Sequence, residues 1–484
     1  MLNHYRPYLM IILFGLLLYS STAFFDFSYL DDHVLILDNY PIISDISNVG
    51  RMFTDDAFFS SSNFYYRPIL NISFMFDSFI SGSLPWFFHL VNVLLHILVS
   101  CLVFALLNKL KAPRFLSFFL TLLFLFHPAL VQVVAWIPGR NDSLLTIFII
   151  SSFLFFLQFL EKFRLTSYIL YLVFFALALF VKEAAIVFPF LLIFYYIFLV
   201  VKKISRSDIL ILTLGTLATV FIWFIFRSLA MTENNLSINN IIISILDNSP
   251  AVIIGLGRFF FPLDLSVMSV IRDNHIMYGL LAVIVLAILT ICKKGVDKRY
   301  FVFGLLWFLL FFIPSLINPN STAVFYFLEH RLYLSFVGLL IIISQIKFLN
   351  NLNYKKAIVY LPFALVLGFA IFLSAKHLPD FKNRISFWQS AVISSPSSPM
   401  AHRNLGAMYY LDGRSDEALI QYQLALDANK NEPMAHNNIG LIYMNQGRLL
   451  EAEAEFKKEL EINPSYDKAL ANLEGLLILK NRLR

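Results

Sequence analysis

The sequence predicts an all-α chain in which a polytopic membrane bundle of about eleven helical spans precedes a C-terminal helical-repeat solenoid. The first observation is composition: the 484 residues are 59% hydrophobic and only 14% charged, and the mean hydropathy of +0.74 is too high for a water-soluble globule. The second is a fall in hydropathy from Pro399 onwards, where a repeat begins. We therefore expect a transmembrane domain over 1–375, a linker with a half-repeat over 376–398, and repeats over 399–484.

Apolar runs long enough to cross about 30 Å of hydrocarbon define the predicted spans. They are 8–25, 86–107, 115–134, 143–160, 166–181, 184–201, 208–229, 276–292, 300–317, 331–346 and 357–375. Ser21-Thr22-Ala23 resembles a signal-peptidase site, but we interpret the first run as an uncleaved anchor. The stretch 249–262 is apolar, short and interrupted by glycine, so we expect it to lie in the interface or to re-enter.

Basic residues mark alternate ends of the spans, as at Arg6, Lys111, Lys162 and Lys347. The positive-inside rule assigns that side, and so the N-terminus, to the cytoplasm. An odd number of spans then places the long first loop, 26–85, and the repeats outside the cytoplasm. The net charge of +6 reflects these topology signals and predicts no nucleic-acid partner. The membrane would be the cytoplasmic membrane of a bacterium or archaeon, or the endoplasmic reticulum of a eukaryote.

The C-terminal repeat has a period of 34 residues, which is the tetratricopeptide period. Equivalent positions pair as Pro399/Pro433, Ala401/Ala435, Gly406/Gly440, Tyr409/Tyr443, Ala418/Ala452 and Tyr422/Phe456. About two full repeats are predicted, with a half-repeat before them and the start of a third after them. Such a stack is a docking surface for a protein partner, or else only a spacer.

The first outer loop carries an acidic pair, Asp31-Asp32, a few residues beyond the first span. Carboxylates at a membrane surface are costly unless they are paired or used, although an acidic residue after a first helix could simply cap an interfacial helix. Further polar groups lie at the outer ends of other spans: Arg67, His89, Asn92, His96, His127, Arg140, Asp142, Lys182, Glu183, Glu329, His330 and Arg331. We interpret them together as one polar chamber, while local Arg140–Asp142 and Lys182–Glu183 pairs and a helix–helix role for the histidines stay open.

Such a chamber suits a lipid-linked phosphate that reaches up from the bilayer. Cationic side chains would bind the phosphate as it leaves, and a carboxylate would deprotonate an incoming hydroxyl. Transfer of a glycosyl group by an inverting displacement needs little more than this. The acidic pair with His33 could also hold a divalent cation, but catalysis by carboxylate alone fits equally well. Cys101 and Cys292 are too few for a disulfide framework or a zinc site.

The order of these motifs, with repeats behind them, resembles the transmembrane and tetratricopeptide-repeat O-mannosyltransferases, which are polytopic glycosyltransferases of C type. The motifs are Asp31-Asp32, Tyr66-Arg67-Pro68, His127-Pro128, the run from Ala135 to Asp142, Lys182-Glu183 and Glu329-His330-Arg331 with Tyr333. The resemblance implies Asp31 or Asp32 as the base and a polyprenyl-phosphate-linked sugar, mannose or another hexose, as donor. It also implies donor contacts for Arg67, His127, Arg140, Asp142, Lys182, Glu183, Glu329 and Arg331. The acceptor would be a protein hydroxyl or a glycan.

This sequence departs from the animal members of that family in carrying few repeats, which leaves the acceptor open. Two other interpretations remain. One is a glycan polymerase or ligase that also uses polyprenyl-linked substrates. A large outer loop late in the chain would favour this interpretation, whereas the large acidic loop of this sequence is the first. The other is a transporter or a membrane scaffold that presents the repeats to a partner, and a scaffold would tolerate loss of the acidic pair.

Overall fold

The computed structural model describes residues 2–59, 65–200, 205–231, 237–291, 295–317, 325–354 and 356–483. In these ranges the chain is helical almost throughout, and the two strands, Ser269–Val270 and Tyr326–Phe327, have two residues each. The predicted all-α class is confirmed. The chain forms two compact units: the first is Met1–Leu265 with Asn274–Lys382, and the second is Ser266–Asp273 with Asn383–Arg484.

The first unit contains the apolar helices. They are α1 (Leu2–Tyr19), α2 (Tyr40–Ile43), α3 (Pro68–Ser81), α4 (Pro85–Lys109), α5 (Arg114–Leu125), α6 (Val131–Ala135), α7 (Arg140–Lys162), α8 (Leu165–Val181), α9 (Phe188–Leu199), α10 (Arg206–Ala230), α11 (Ile238–Asp247), α12 (Pro250–Phe260), α13 (Ile276–Ile291), α14 (Lys298–Phe312), α15 (Tyr333–Ser344), α16 (Lys347–Asn350) and α17 (Tyr360–His377).

Six helical segments in the described ranges are long and apolar enough to cross a membrane, and each coincides with a predicted span: Tyr5–Phe24, Pro85–Lys109, Ile137–Lys162, Arg206–Ala230, Lys298–Leu316 and Ala357–Phe381. The α7 segment is 72% buried inside the protein, whereas only 6% of the α10 segment is. The exposed apolar surface of α10 is what contact with acyl chains requires.

Two further helix pairs are bent. The predicted span 115–134 bends by 55° between Arg114–Leu125 and Pro128–Ala135, because Pro128 has no amide hydrogen to continue the helical ladder. The second pair, Ile238–Asp247 and Pro250–Phe260, bends by 45° and contains most of the stretch 249–262 that we expected to lie in the interface or to re-enter. It is either a broken span or a re-entrant loop, so the number of spans stays a prediction.

Three predicted spans are shorter helices, Leu165–Val181, Glu183–Leu199 and Ile276–Ile291. The predicted span 331–346 is the twelve-residue helix α15, which is buried along most of its length. At 1.5 Å per residue a helix of this length covers about 18 Å, too little to cross the hydrocarbon alone. Cys101 is a free thiol, and Cys292 lies outside the described residues.

Residues 26–59 of the first loop fold onto α3 and α4 and share a hydrophobic core with them. Phe27, Leu35, Ile36 and Met52 pack with Phe74 in this core. The short turns of the loop are thereby held against long helices instead of extending into solvent. This core places the acidic pair on a firm support.

The second unit is the repeat domain. Its helices are α18 (Arg384–Ser394), α19 (Pro399–Leu411), α20 (Ser415–Ala428), α21 (Ala435–Asn445), α22 (Leu449–Ile462) and α23 (Asp467–Leu483). Helix α18 is the predicted half-repeat and begins with a capping box between Asn383 and Ser386. The unit begins at Asn383, inside the predicted linker 376–398.

The second unit also contains Ser266–Asp273, which the sequence analysis assigned to the transmembrane domain. The Arg272 guanidinium donates to the hydroxyl and the carbonyl of Ser397, both at 2.6 Å. The Ser397 hydroxyl donates to Asp273 at 2.6 Å. A segment from the middle of the predicted transmembrane domain therefore belongs to the repeat unit, which no periodicity in the sequence indicates.

We expect Gly440→Ala to destabilise the repeat unit by about 1–3 kcal/mol, the usual effect of overpacking. A Cβ on Gly440 would lie 2.6 Å from the Phe456 ring, which is completely buried. Hydrogen exchange of α21 and α22 in the full-length protein measures the effect. Gly475→Ala in α23 is the control, because a Cβ there meets nothing within 4 Å. Equal exchange in both variants would contradict the prediction.

Candidate active site

Asp32, the second residue of the acidic pair, is a structural cap. Its side chain is 1% exposed and accepts hydrogen bonds from the Ser28 amide at 2.7 Å, the Ser28 hydroxyl at 2.9 Å and the His33 amide at 3.1 Å. It caps the helical turn His33–Asp38. Burial raises the pKa of Asp32, and the bonds from Ser28 oppose that rise. Its oxygens are committed to holding the loop.

Asp31 is different because its carboxylate makes no hydrogen bond to a described residue, although the side chain is only partly exposed. Its backbone carbonyl accepts from Leu35 and so anchors the residue at the start of the same turn. Burial first, and then the neighbouring Asp32, raise the pKa of Asp31 to about 6, while Arg67 and Arg331 act in the opposite direction. A carboxyl group of this kind is ionised at neutral pH and is a competent proton acceptor.

Arg67, Lys182 and Arg331 form one cationic group, and two of its members, Arg67 and Arg331, act on Asp31. Both arginines act electrostatically on the Asp31 carboxylate and on Lys182. Lys182 donates to Asp142 at 2.7 Å, so this pair joins α7 to the segment after α8. Together the three cations exceed the charge of Asp31 and Asp142, which leaves a net positive site suited to an anion.

The two arginines are held in place by aromatic rings and backbone carbonyls. Arg67 lies 4.3 Å from the centre of the Tyr65 ring. Arg331 lies 5.3 Å from the Phe325 ring and donates to the carbonyls of Ser315 and Tyr326, each at 3.1 Å. These contacts leave both charges without a dedicated carboxylate partner in the described part of the chain. Their fixed orientation favours binding of a phosphate.

Glu183 and Asn141 orient the segment that carries Arg67. Glu183 accepts from the Tyr66 amide at 2.8 Å. With the Asn141 amide turned so that both of its ends are satisfied, its oxygen accepts from Arg67 at 3.1 Å and its nitrogen donates to Val181 at 2.9 Å. Glu183 therefore positions the segment that carries Arg67.

His330 lies next to Asp142 in the candidate site. Its Nε2 lies 4.0 Å from the Asp142 carboxylate, and its amide donates to Gln132 at 3.0 Å. Tyr65 and Gln132 were not among the predicted groups, whereas Asn141 lies in the predicted run from Ala135 to Asp142 without an assigned donor contact. Asn141 and His330 stand beside predicted charged residues in the same motifs, whereas nothing in the local sequence distinguishes Gln132 from a polar residue of a helix interior.

Arg140, predicted to contact the donor, lies outside this group. Arg140 is fully buried, forms an ion pair with Asp77 and donates to Asn92 and to the Phe88 carbonyl, each at 2.8 Å. The local pairs that stayed open, Arg140–Asp142 and Lys182–Glu183, are replaced by Arg140–Asp77 and Lys182–Asp142. Arg140 is thus occupied by partners from α3 and α4.

His127 and Glu329, also predicted to contact the donor, have other partners as well. His127 contacts the Phe259 carbonyl through Nε2 at 3.1 Å and stacks on the Phe259 ring. Glu329 is fully buried between Arg258 and His377. Their predicted donor contacts therefore find no geometric support. Among the described residues no three His, Cys, Asp or Glu side chains are grouped to hold a metal ion.

Comparison with known proteins adds to this geometry. Two tetratricopeptide-repeat family models match residues 387–433 and 433–466. Protein O-mannosyl-transferase TMTC2 of Mus musculus is 34% identical over 145 residues, 29% of this chain and 17% of that protein. TMTC1 of the same species is 38% identical over 96 residues, 20% of this chain and 10% of that protein. TMTC4 is 32% identical over 160 residues, 29% of this chain and 21% of that protein.

The chain is related to the transmembrane and tetratricopeptide-repeat O-mannosyltransferases. The resemblance stated from the motifs is thereby confirmed. The aligned part spans at most 21% of the length of each of the three relatives named above.

Proposed function

We propose that this relative of the O-mannosyltransferases transfers a hexose, with mannose as the first candidate, from a polyprenyl-phosphate carrier to a hydroxyl group of a protein or glycan acceptor. The observation that carries the proposal is the Asp31 carboxylate, which makes no hydrogen bond to a described residue and on which Arg67 and Arg331 act electrostatically. One proton acceptor beside an anion site is the minimum that glycosyl transfer from a lipid phosphate needs.

In the proposed step Asp31 accepts the proton of the acceptor hydroxyl as its oxygen bonds to C1 of the sugar. The bond between C1 and the phosphate oxygen breaks on the opposite side, so the configuration at C1 inverts. The electron pair goes to the phosphate, which leaves as polyprenyl phosphate with one further negative charge. Arg67, Lys182 and Arg331 stabilise that developing charge, and Asp142 keeps Lys182 in place.

The extracytoplasmic face is part of the proposal and is supported by the distribution of basic residues at the span ends. The first loop with Asp31 and the repeat unit would then both lie on the side opposite to Arg6 and Lys162. The repeats offer a surface for a protein acceptor or partner.

The proposal is tested with the purified full chain in proteoliposomes and a panel of radiolabelled polyprenyl-phosphate sugars that includes mannose, with cell-envelope extract as acceptor. We expect label to pass to protein or glycan with one donor in the panel. Chain extension of a lipid-linked glycan would favour the polymerase interpretation instead. No transfer from any donor would contradict the proposal and favour the scaffold or transporter interpretation.

We expect transfer to fall as the pH decreases through about 6. Asp31 must be ionised to accept a proton, and its pKa is raised to about 6, so the base is active above that pH and is progressively protonated below it. Initial rates at donor concentrations far below KM, from about pH 3 to 8, measure the profile of the free enzyme. An acidic limb centred near 3.8, the ordinary value for aspartate, would contradict the assignment.

A further inference from the structure

A network of charged side chains, Arg258, Glu329, His377 and Asp380, is not used by the proposed step. The Glu329 carboxylate has one oxygen 3.5 Å from Nε of Arg258 and the other 3.6 Å from Nε2 of His377. On its other side His377 contacts the Asp380 carboxylate through Nδ1 at 2.8 Å. The side chains of Glu329 and His377 are 0% and 3% exposed, whereas that of Asp380 is 36% exposed.

Exposure of the side chains decreases along the network from Asp380 to His377 and Glu329. Asp380 faces solvent in part, His377 has a carboxylate on each of its two ring nitrogens, and Glu329 starts the single helical turn Glu329–Leu332. Arg331 is the third residue of that turn. A shift of Glu329 therefore reaches Arg331 through two peptide units, with no flexible segment between them.

Stability alone is a poor explanation for this network. Burying Glu329 with Arg258 and His377 costs desolvation energy that apolar side chains of the same size would avoid. What charged partners add is orientation, because a carboxylate held from both sides has one favourable position. The neighbouring groups agree with this: the His330 amide is bound by Gln132, and Arg331 by two carbonyls.

The segment that carries His377 and Asp380 also touches the loop of the candidate base. The carbonyl of Lys382 accepts from the Asp26 amide at 2.9 Å, five residues before Asp31. Segment 377–382 thus contacts both the chain that leads to Asp31 and the turn that carries Arg331. It is the last part of the first unit before the repeat domain begins at Asn383.

We propose that His377 and Asp380 are positioning residues that act through Glu329 to hold Arg331 in register with Asp31. The inference rests on the proposed function for its kinetic consequence but not for its structural one. No sugar or phosphate contact is assigned to His377 or Asp380.

The structural test is hydrogen–deuterium exchange of the full chain in detergent, followed on peptides that cover 325–333. Asp380→Ala removes the outer carboxylate at a partly exposed position, so the fold is retained. We expect exchange of this turn to rise severalfold in Asp380→Ala and to stay at the wild-type rate in Lys382→Ala, whose side chain is exposed and whose carbonyl remains. Unchanged exchange in Asp380→Ala overturns the proposal, whatever the activity.

The kinetic test uses the transfer assay. We expect Asp380→Ala to lower kcat about tenfold with the acceptor KM within about twofold of wild type, because a small displacement of a charge-stabilising group acts on the transition state. Asp380→Asn, which keeps an acceptor for His377, should recover most of the rate. In an Arg331→Ala background Asp380→Ala should cost nothing further, since both changes remove one contribution.

An equal loss from Asp380→Ala with and without Arg331 would overturn the link to Arg331. If the wild type transfers no sugar but exchange in 325–333 still rises in Asp380→Ala alone, the proposed function fails while the positioning role stands. If the wild type transfers sugar and Asp380→Ala does so at the same rate, the positioning role fails while the proposed function stands.

Discussion

Replacing Asp31 with asparagine is expected to lower sugar transfer by about 10²- to 10⁴-fold, the usual contribution of a general base. Asparagine has nearly the same size but cannot accept the acceptor's proton. Because the Asp31 carboxylate makes no hydrogen bond to a described residue, its loss should leave folding unchanged. Transfer by wild type and variant in proteoliposomes, at matched protein levels and identical thermal unfolding, measures the effect.

Two other aspartates of the first loop serve as comparisons for Asp31. Asp45→Asn makes the same charge change at an exposed position, where asparagine can also accept the Ser47 amide bond that Asp45 accepts at 2.9 Å. We expect wild-type activity from it. Asp32→Asn should lower stability as well as activity, because Asp32 accepts bonds from Ser28 and His33. An Asp31→Asn protein that retains transfer within about threefold would exclude Asp31 as the base.

Replacing Arg140 with alanine is expected to destabilise the protein by about 3–5 kcal/mol, as for a buried ion pair that loses one partner. The change would leave the buried Asp77 carboxyl group without its charged partner and would remove the donors to Asn92 and the Phe88 carbonyl. The Phe74 ring, 4.9 Å from the guanidinium, would border a cavity. Thermal unfolding of the purified protein in detergent measures the effect.

Arg164→Ala is the control for Arg140, because it removes the same charge from an exposed position between α7 and α8. We expect its unfolding temperature to equal that of wild type. Replacing Arg140 and Asp77 together by leucine should recover part of the loss, since no uncompensated charge remains. If Arg140→Ala unfolds like wild type and loses only sugar transfer, the donor contact predicted from the sequence is the better interpretation of Arg140.

The acidic pair could be identified from the sequence, but the different roles of its two residues could not. Its position after the first span marks both carboxylates as unusual, but two adjacent aspartates are equivalent in a sequence. The fold separates them, because the chain turns at Tyr29 with a φ of 60° and brings Ser28 back to Asp32. The Asp32 carboxylate accepts the hydrogen bonds from Ser28 that hold this turn. The Asp31 carboxylate is instead influenced by the charges of Arg67 and Arg331.

The ion-pair partners of Arg140 and Asp142 could not be predicted from the local sequence. Arg140 and Asp142 are two residues apart, as close in sequence as a pair can be without being neighbours, yet side chains at this spacing point to different faces of a helix. Arg140 pairs with Asp77 and Asp142 pairs with Lys182. Asp77 lies in α3 and Lys182 in the segment after α8, so no local pattern identifies these partners.

Sequence pattern was sufficient for the repeats and for six of the membrane helices, because a 34-residue repeat recurs at constant spacing and a long apolar run specifies a helix by its length and composition. Equivalent positions also pack alike: a Cβ would lie 2.9 Å from the Tyr422 ring at Gly406 and 2.6 Å from the Phe456 ring at Gly440. The partners of Glu329 and the association of Ser266–Asp273 with the repeat domain depended on the tertiary structure. A charged side chain is satisfied by whichever partner the packed chain brings near, and that partner is set by the whole fold.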